Sequence, residues 1–364
     1  MKSSLNQDFV SHYIPDIGLQ LAKYSGEQLI ERVGQDAIKD VVTSILCGGN
    51  VRSLTEGLTQ RRIALSNAAL LVTYLQSSKN IHGFQQRLYD LVSNELQTSK
   101  LNQEQRIFLQ WLIGLTGKSV QNVLRSDQEQ LRAYLAELEN ALQNTVQQAH
   151  LEFGEMQASI ALDGISYEVN WHSITQIFTA IGSQTLAIRG SEKSLYGKLF
   201  EKLVLGSVLT ILGFEMINPE QSTKSTKVFW LSQRENKRES DATLLIKPGV
   251  GVRFDIGFIG PGNTEISLDK VSRFEREMEF GRSLHFMSTI ILVDRIGENS
   301  RISELAQEVN GHIVQMSMAY WVKELCHILK SKTGFHHKIL KLSQADSVKF
   351  IHQQIQAIDL NMFV

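Results

Sequence analysis

The sequence predicts an α/β protein in which a mixed central sheet flanked by helices follows a largely helical N-terminal region. Three observations predict it. From about residue 16 to 150, apolar residues recur at helical spacing among many Gln, Leu, Ala and Glu, with few β-branched runs. Beyond that point, short apolar runs of strand length alternate with helical periods, the pattern of a mixed sheet covered on its faces. With 364 residues, 42% hydrophobic and 21% charged, the chain can bury the cores of two ordinary domains. The division is drawn at residues 1–155 and 156–364.

In the first region the clearest helix is Asp127–His150, where Leu131, Leu135, Leu138 and Leu142 form a narrow apolar stripe. The stripe persists for under two heptads, so a helix packing on its own domain is favoured over a coiled-coil seam between two chains. Ala158–Leu162 and Ile165–Val169 flank Asp163-Gly164, the dipeptide of a type I′ turn, and predict a hairpin. Ser194–Phe214 reads as a helix apolar around most of its circumference and closed by Gly213, hence a core helix.

Asp241–Ile246 and Val252–Ile259 read as strands joined by the Lys247-Pro248-Gly249-Val250-Gly251 turn, followed by a helix from Ser267 to Gly281. Ser288–Val293 is a near-continuous apolar strand, Ile302–Val309 a short helix, His312–Met318 a strand and Tyr320–Leu329 a helix. Lys330–Val364 reads as helical with several basic residues.

The bulk properties exclude several classes. A net charge of −1 argues against a protein that coats nucleic acid without specificity, though not against an enzyme with one basic cleft. Cys47 and Cys326 lack CxxC spacing and read as free thiols rather than a thiolate metal site. No apolar stretch reaches the roughly 20 residues that cross a bilayer, and the N-terminus lacks a secretory core, which implies a cytoplasmic protein without a membrane partner. His336-His337 and Trp171-His172 have no acidic or thiol partners at ligand spacing and read as ordinary packing.

The chemistry-bearing residues lie in the second region. Alternation along Val252–Ile259 puts Arg253, Asp255, Gly257 and Ile259 on one face, so Asp255 is a carboxylate among strand residues bound for a core. Such a charge needs compensation, either by a divalent cation or by an ion pair with Arg253 or a neighbouring base. Asp241 begins the preceding strand, which the turn folds back beside Asp255; two aspartates on adjacent strands suit magnesium, which takes hard oxygen ligands. Glu201 leads the stripe of Leu205, Val208 and Leu212, with Lys198 and Lys202 on another face. It could reach a site at the sheet edge or pair with an exposed base.

These residues, in GKLFEKLVLGSVLTILGF, RESDATLLI and VRFDIGFIGPGNTEISLDKVSRFE, resemble the PD-(D/E)XK nuclease superfamily, more closely its type II restriction endonucleases. The finer resemblance is to the CfrBI-like restriction enzymes. It implies a restriction-endonuclease-like core of helix–strand–strand–strand–helix–strand, with Asp241 and Asp255 as the acidic pair that holds Mg2+. Ser240 stands where the family often has proline, and Gly257 where it has lysine. Some members move that lysine to a neighbouring element, and Lys270 is the candidate here; as a surface lysine it would have no such role. Glu265 is a rival metal ligand, or an acid at a helix N-terminus.

The implied reaction is phosphodiester hydrolysis of double-stranded DNA, with Asp241, Asp255, Lys270 and Glu201 as catalytic residues and a homodimer cutting both strands. Lys224, Lys227, Arg234, Lys237 and Arg238, with Phe229 and Trp230 among them, could contact phosphates or form a solvated loop. Arg273 and Arg276 could read DNA or pair with Glu275, Glu277 and Glu279. The missing lysine also leaves room for a DNA-binding protein without catalysis, and a structure-specific repair nuclease is a third reading. The N-terminal region is expected to serve DNA recognition, dimerisation or both.

Overall fold

Helical spacing in the first half of the chain becomes helices α1 (Phe9–Tyr13), α2 (Asp16–Ala22), α3 (Gly26–Val33), α4 (Gln35–Leu46), α5 (Val51–Asn80), α6 (Phe84–Leu96), α7 (Gln103–Leu112), α8 (Gly117–Ser119) and α9 (Gln128–Phe153). The computed structural model describes residues 9–23, 25–97, 100–120, 128–220, 224, 226–232, 240–258, 286–294 and 311–364. No helix among the described residues is long and apolar enough to cross a membrane.

Strands β1 (Ala158–Leu162) and β2 (Ile165–Val169) form the predicted hairpin, with Leu162 opposite Ile165. Asp163 and Gly164 take φ values of 51° and 74°, and positive φ at both central residues is what a type I′ turn requires. Next comes α10 (Trp171–Ile211), a helix of 41 residues where the sequence predicted one only from Ser194. Its start carries a signal that the apolar pattern obscured: the Asn170 side chain accepts from the backbone N–H of Ser173 at 3.0 Å, an N-cap. Its end behaves as expected. Gly213 at φ 87° lets its own N–H reach the Thr210 carbonyl and the Phe214 N–H reach that of Leu209, a Schellman closure.

The rest of the chain builds a mixed sheet from β3 (Glu215–Met216), β4 (Val228–Leu231), β5 (Ala242–Lys247), β6 (Val250–Gly257), β7 (Phe286–Val293) and β8 (Gly311–Gln315), followed by α11 (Trp321–Thr333) and α12 (Gln344–Gln356). The sheet order among the described residues is β3-β4-β5-β6-β7-β8. The β4–β5 and β5–β6 pairs are antiparallel, whereas β3–β4, β6–β7 and β7–β8 are parallel. The α/β class with a mixed sheet and a mostly helical N-terminal region therefore holds. The predicted helices Ser267–Gly281 and Ile302–Val309 lie outside the described residues.

Two compact units divide the chain differently from 1–155 and 156–364. The helical unit comprises Met1–Tyr24 and Gly57–Lys193, and the sheet unit Ser25–Glu56 and Ser194–Val364. The reason is where each segment buries its face, which helical periodicity alone does not specify. The β1–β2 hairpin packs Tyr167 and Val169 on Leu75, while Ile177, Ala180 and Ile188 of α10 join the core of Phe84, Phe108 and Trp111. Conversely, residues 25–56 are tied to the sheet unit by bonds from Trp321 Nε1 to the Ile45 carbonyl and from Lys39 Nζ to that of Gln356, both 2.9 Å.

In the helical unit, Leu135 and Leu142 of α9 are buried in that core and Leu131 and Leu138 pack against it. The leucine stripe thus serves its own unit. In the sheet unit, Phe200, Leu203, Val204, Leu205, Val208 and Leu209 of α10 are fully buried. Three consecutive buried positions leave no solvated side at that turn, as the sequence required of a core helix. Cys47 and Cys326 are free thiols; burial pushes Cys326 up to about 11, so it is an inert packing group.

Candidate active site

The β5–β6 hairpin sets the geometry. Lys247 pairs with Val250, leaving Pro248 and Gly249 as a two-residue loop, shorter than the five-residue turn expected. Proline fixes φ at the first position and Gly249 takes φ 76° at the second, the residue pair that a type II turn asks for. An irregularity at Ile246 then resets the register so that Ala242 faces Phe254. One step further on, that register puts Asp241 across from Asp255.

Asp241 stands just before β5 rather than inside it and is 8% exposed. Its Oδ2 accepts the Ile256 N–H at 2.9 Å, a bond from beyond the end of the β5 ladder. A backbone donor to one carboxylate oxygen fixes the plane of the group and thereby the direction of the other oxygen. Asp255 is half-buried with Arg253, while Val252, Phe254 and Ile256 on the opposite face are fully buried. The expectation that Asp255 is bound for a core is met only in part: it is half-buried, and Asp241 across from it is the more enclosed carboxylate.

Asp241 lines a pocket of about 310 Å³ together with Glu201, Lys198, Lys202, Ser232, Leu195, Leu199, Gly26 and Val364. Helix α10 thus brings Glu201 to the same cavity as Asp241, as the apolar stripe suggested it could. Lys198 and Lys202 do not occupy a separate face. Positions 198, 201 and 202 are related by three and four residues along the helix, so one broad face carries all three.

The mouth is shaped by local features. Ser25 and Gln28 form a capping box at the start of α3, with bonds of 3.2 and 2.9 Å. This places Gly26 so close to α10 that a Cβ would stand 2.9 Å from Leu199 Cδ1. Ser232, at the end of β4, is 7% exposed and its Oγ has no hydrogen-bond partner among the described residues. A buried hydroxyl without a partner costs on the order of 1–3 kcal/mol, so a polar guest in this pocket would be stabilised there.

The residues fit a magnesium ion in chemistry. Two aspartates from adjacent strands are the hard oxygen donors that Mg2+ uses, and water and phosphate oxygens complete its shell. Among the described residues no group of three His, Cys, Asp or Glu gathers at metal-ligand spacing. Lys270, Glu265, Lys237, Arg238 and Arg273 lie outside the described residues.

Of the basic cluster, Lys224 forms an exposed ion pair with Glu215 at 2.7 Å, and Phe229 is fully buried in the sheet. Phe229 therefore cannot stack on nucleic acid. The pattern reading passed over Ser232 and Asp294 and gave Lys202 no role. Ser232 and Lys202 line the pocket, and Asp294 ends β7 as a buried acid whose Oδ2 accepts from Asn50 Nδ2 at 2.7 Å. An acid directly after the apolar run STIILV was the available signal for Asp294.

A model of the CfrBI restriction endonuclease family matches residues 35–301. The chain is 38% identical to the type II restriction enzyme CfrBI of Citrobacter freundii over 352 residues, covering 96% of this chain and 97% of the relative. No solved structure matches.

Proposed function

The chain belongs to the CfrBI restriction endonuclease family, and from that premise we propose that it is a type II site-specific deoxyribonuclease. It hydrolyses phosphodiester bonds of double-stranded DNA with Mg2+, as the nuclease of a restriction-modification system. The observation that carries the reading is Asp241, a buried carboxylate oriented by the Ile256 N–H, placed by register across from Asp255 and opening on a pocket.

In this reading Asp241 and Asp255 hold the metal. When bound, Mg2+ would polarise the phosphate and lower the pKa of an attacking water. The protein's own part is orientation. Asp241 stays fixed by a backbone donor at the end of a strand ladder, which limits the reorganisation needed during reaction. Glu201 lies in the same pocket, where it can accept a proton or hold a water. Lys237, Arg238 and Arg273 are the proposed DNA contacts. A homodimer presents one site to each strand, with the N-terminal region contributing to recognition or to dimerisation.

Incubating the purified protein with plasmid and magnesium tests the reading. Discrete fragments of reproducible length support it. Nicking confined to forks or mismatches would support a structure-specific nuclease instead, and bound but intact DNA a protein without catalysis.

A further inference from the structure

We infer that Lys202 is the cation that meets the scissile phosphate in this site. The inference deepens the nuclease reading and rests on it.

Hydrolysis of a phosphodiester loads negative charge onto the non-bridging oxygens, and a pocket containing Asp241 and Glu201 repels that charge unless cations oppose it. The face of β6 that bears Asp255 has glycine at 257, two residues further along, so the strand supplies no cation there. Helix α10 does: Lys198 and Lys202 both line the pocket of Asp241. The two differ in enclosure. Lys198 is exposed, whereas Lys202 is half-buried.

Enclosure favours Lys202, because a charge carried on a side chain packed partly against protein is screened by less water than one on an exposed side chain. Among the described residues neither lysine has a carboxylate within ion-pair distance, so no such bond consumes the charge of Lys202 in holding the fold. The helix in turn is held rigid by Phe200, Leu203, Val204 and Leu205, all fully buried, which gives the lysine a fixed base. Ser232 adds a buried neutral hydroxyl to the same cavity. Lys202 donates hydrogen bonds to a phosphate oxygen and forms no covalent bond. In this proposal Lys202 takes the part that the resemblance gave to Lys270, which lies outside the described residues.

The test uses the full chain carrying Lys202→Met, Lys202→Arg, Lys198→Met or Lys270→Met. It follows plasmid cleavage in magnesium, melting temperature, and the salt dependence of duplex DNA binding without metal. Lys202→Met is expected to cut about 100-fold slower. Its melting temperature should be unchanged, and the slope of log affinity against log salt should fall by about one. Lys202→Arg should recover part of the rate, and Lys198→Met and Lys270→Met should each lose less rate than Lys202→Met. If Lys202→Met cuts as fast as the wild type while Asp241→Asn does not cut, this inference alone is overturned. A wild type that never cuts overturns the nuclease reading and this inference with it.

Discussion

The helical unit and the sheet unit use buried charge in opposite ways. In the helical unit, Arg62 is 5% exposed and directs its guanidinium at the carbonyls of Leu21 and Ala22, closing the C-terminal end of α2. It also lies 3.5 Å from the carboxylate of Glu192, which is equally enclosed. Those contacts hold chain to chain. In the sheet unit, Asp241 accepts the Ile256 N–H and lines an open cavity with two lysines and a second acid. Burial of a charge is therefore no sign of function by itself; what surrounds the remaining valences distinguishes a strut from a site.

The largest expected effect breaks the strut. Arg62→Ala removes one partner of a buried ion pair and uncaps a helix end, which typically costs about 3–5 kcal/mol. Thermal unfolding should show the loss, while cleavage per folded molecule at low temperature stays near the wild-type rate. A chemical defect without a stability defect would contradict the structural role. A smaller effect is expected at Asn50. Its Oδ1 accepts from Ser53 N at the start of α5, and its amide donates to buried Asp294. Asn50→Ala should destabilise by about 1–2 kcal/mol, read from denaturant midpoints.

The smallest effect concerns pH. Burial, and then a nearby lysine, holds His312 and His337 below the ordinary value of 6.5. The unfolded chain takes up these protons first as pH falls, so their contribution to stability is complete above pH 6.5 and is lost below it. Melting temperature should decline from about pH 6.5 downward, and less so in a His312→Gln, His337→Gln double variant.

Legibility in the sequence followed the range of the interaction. Asp163-Gly164 declared its hairpin because a dihedral requirement lies within two residues. The Asp241 and Asp255 pairing was readable for a related reason: one short turn relates them, and strand alternation does the rest. What escaped depended on distant partners. Ser183, Gly190 and Ser191 interrupt the apolar pattern before Ser194, yet α10 runs through them because Ile177, Ala180 and Ile188 are buried in another core. The same limit hid the attachment of residues 25–56 to the sheet unit, which is made by Lys39, Asn50 and the Ile45 carbonyl to groups about 240 residues or more away. It also hid that Asp241 is the more enclosed of the two aspartates. Asp241 is enclosed by α10 and the end of β4, neither of which alternation along β6 could reveal.

The most direct test of the central claim is magnesium-dependent cleavage of plasmid DNA by Asp241→Asn beside the wild type, with melting temperatures measured on the same samples. Asparagine keeps an oxygen for the Ile256 N–H and removes only the charge. The account predicts a melting temperature close to that of the wild type and cleavage slower by at least about 100-fold, the scale of several kcal/mol of lost transition-state stabilisation. Cleavage by Asp241→Asn at the wild-type rate would contradict it.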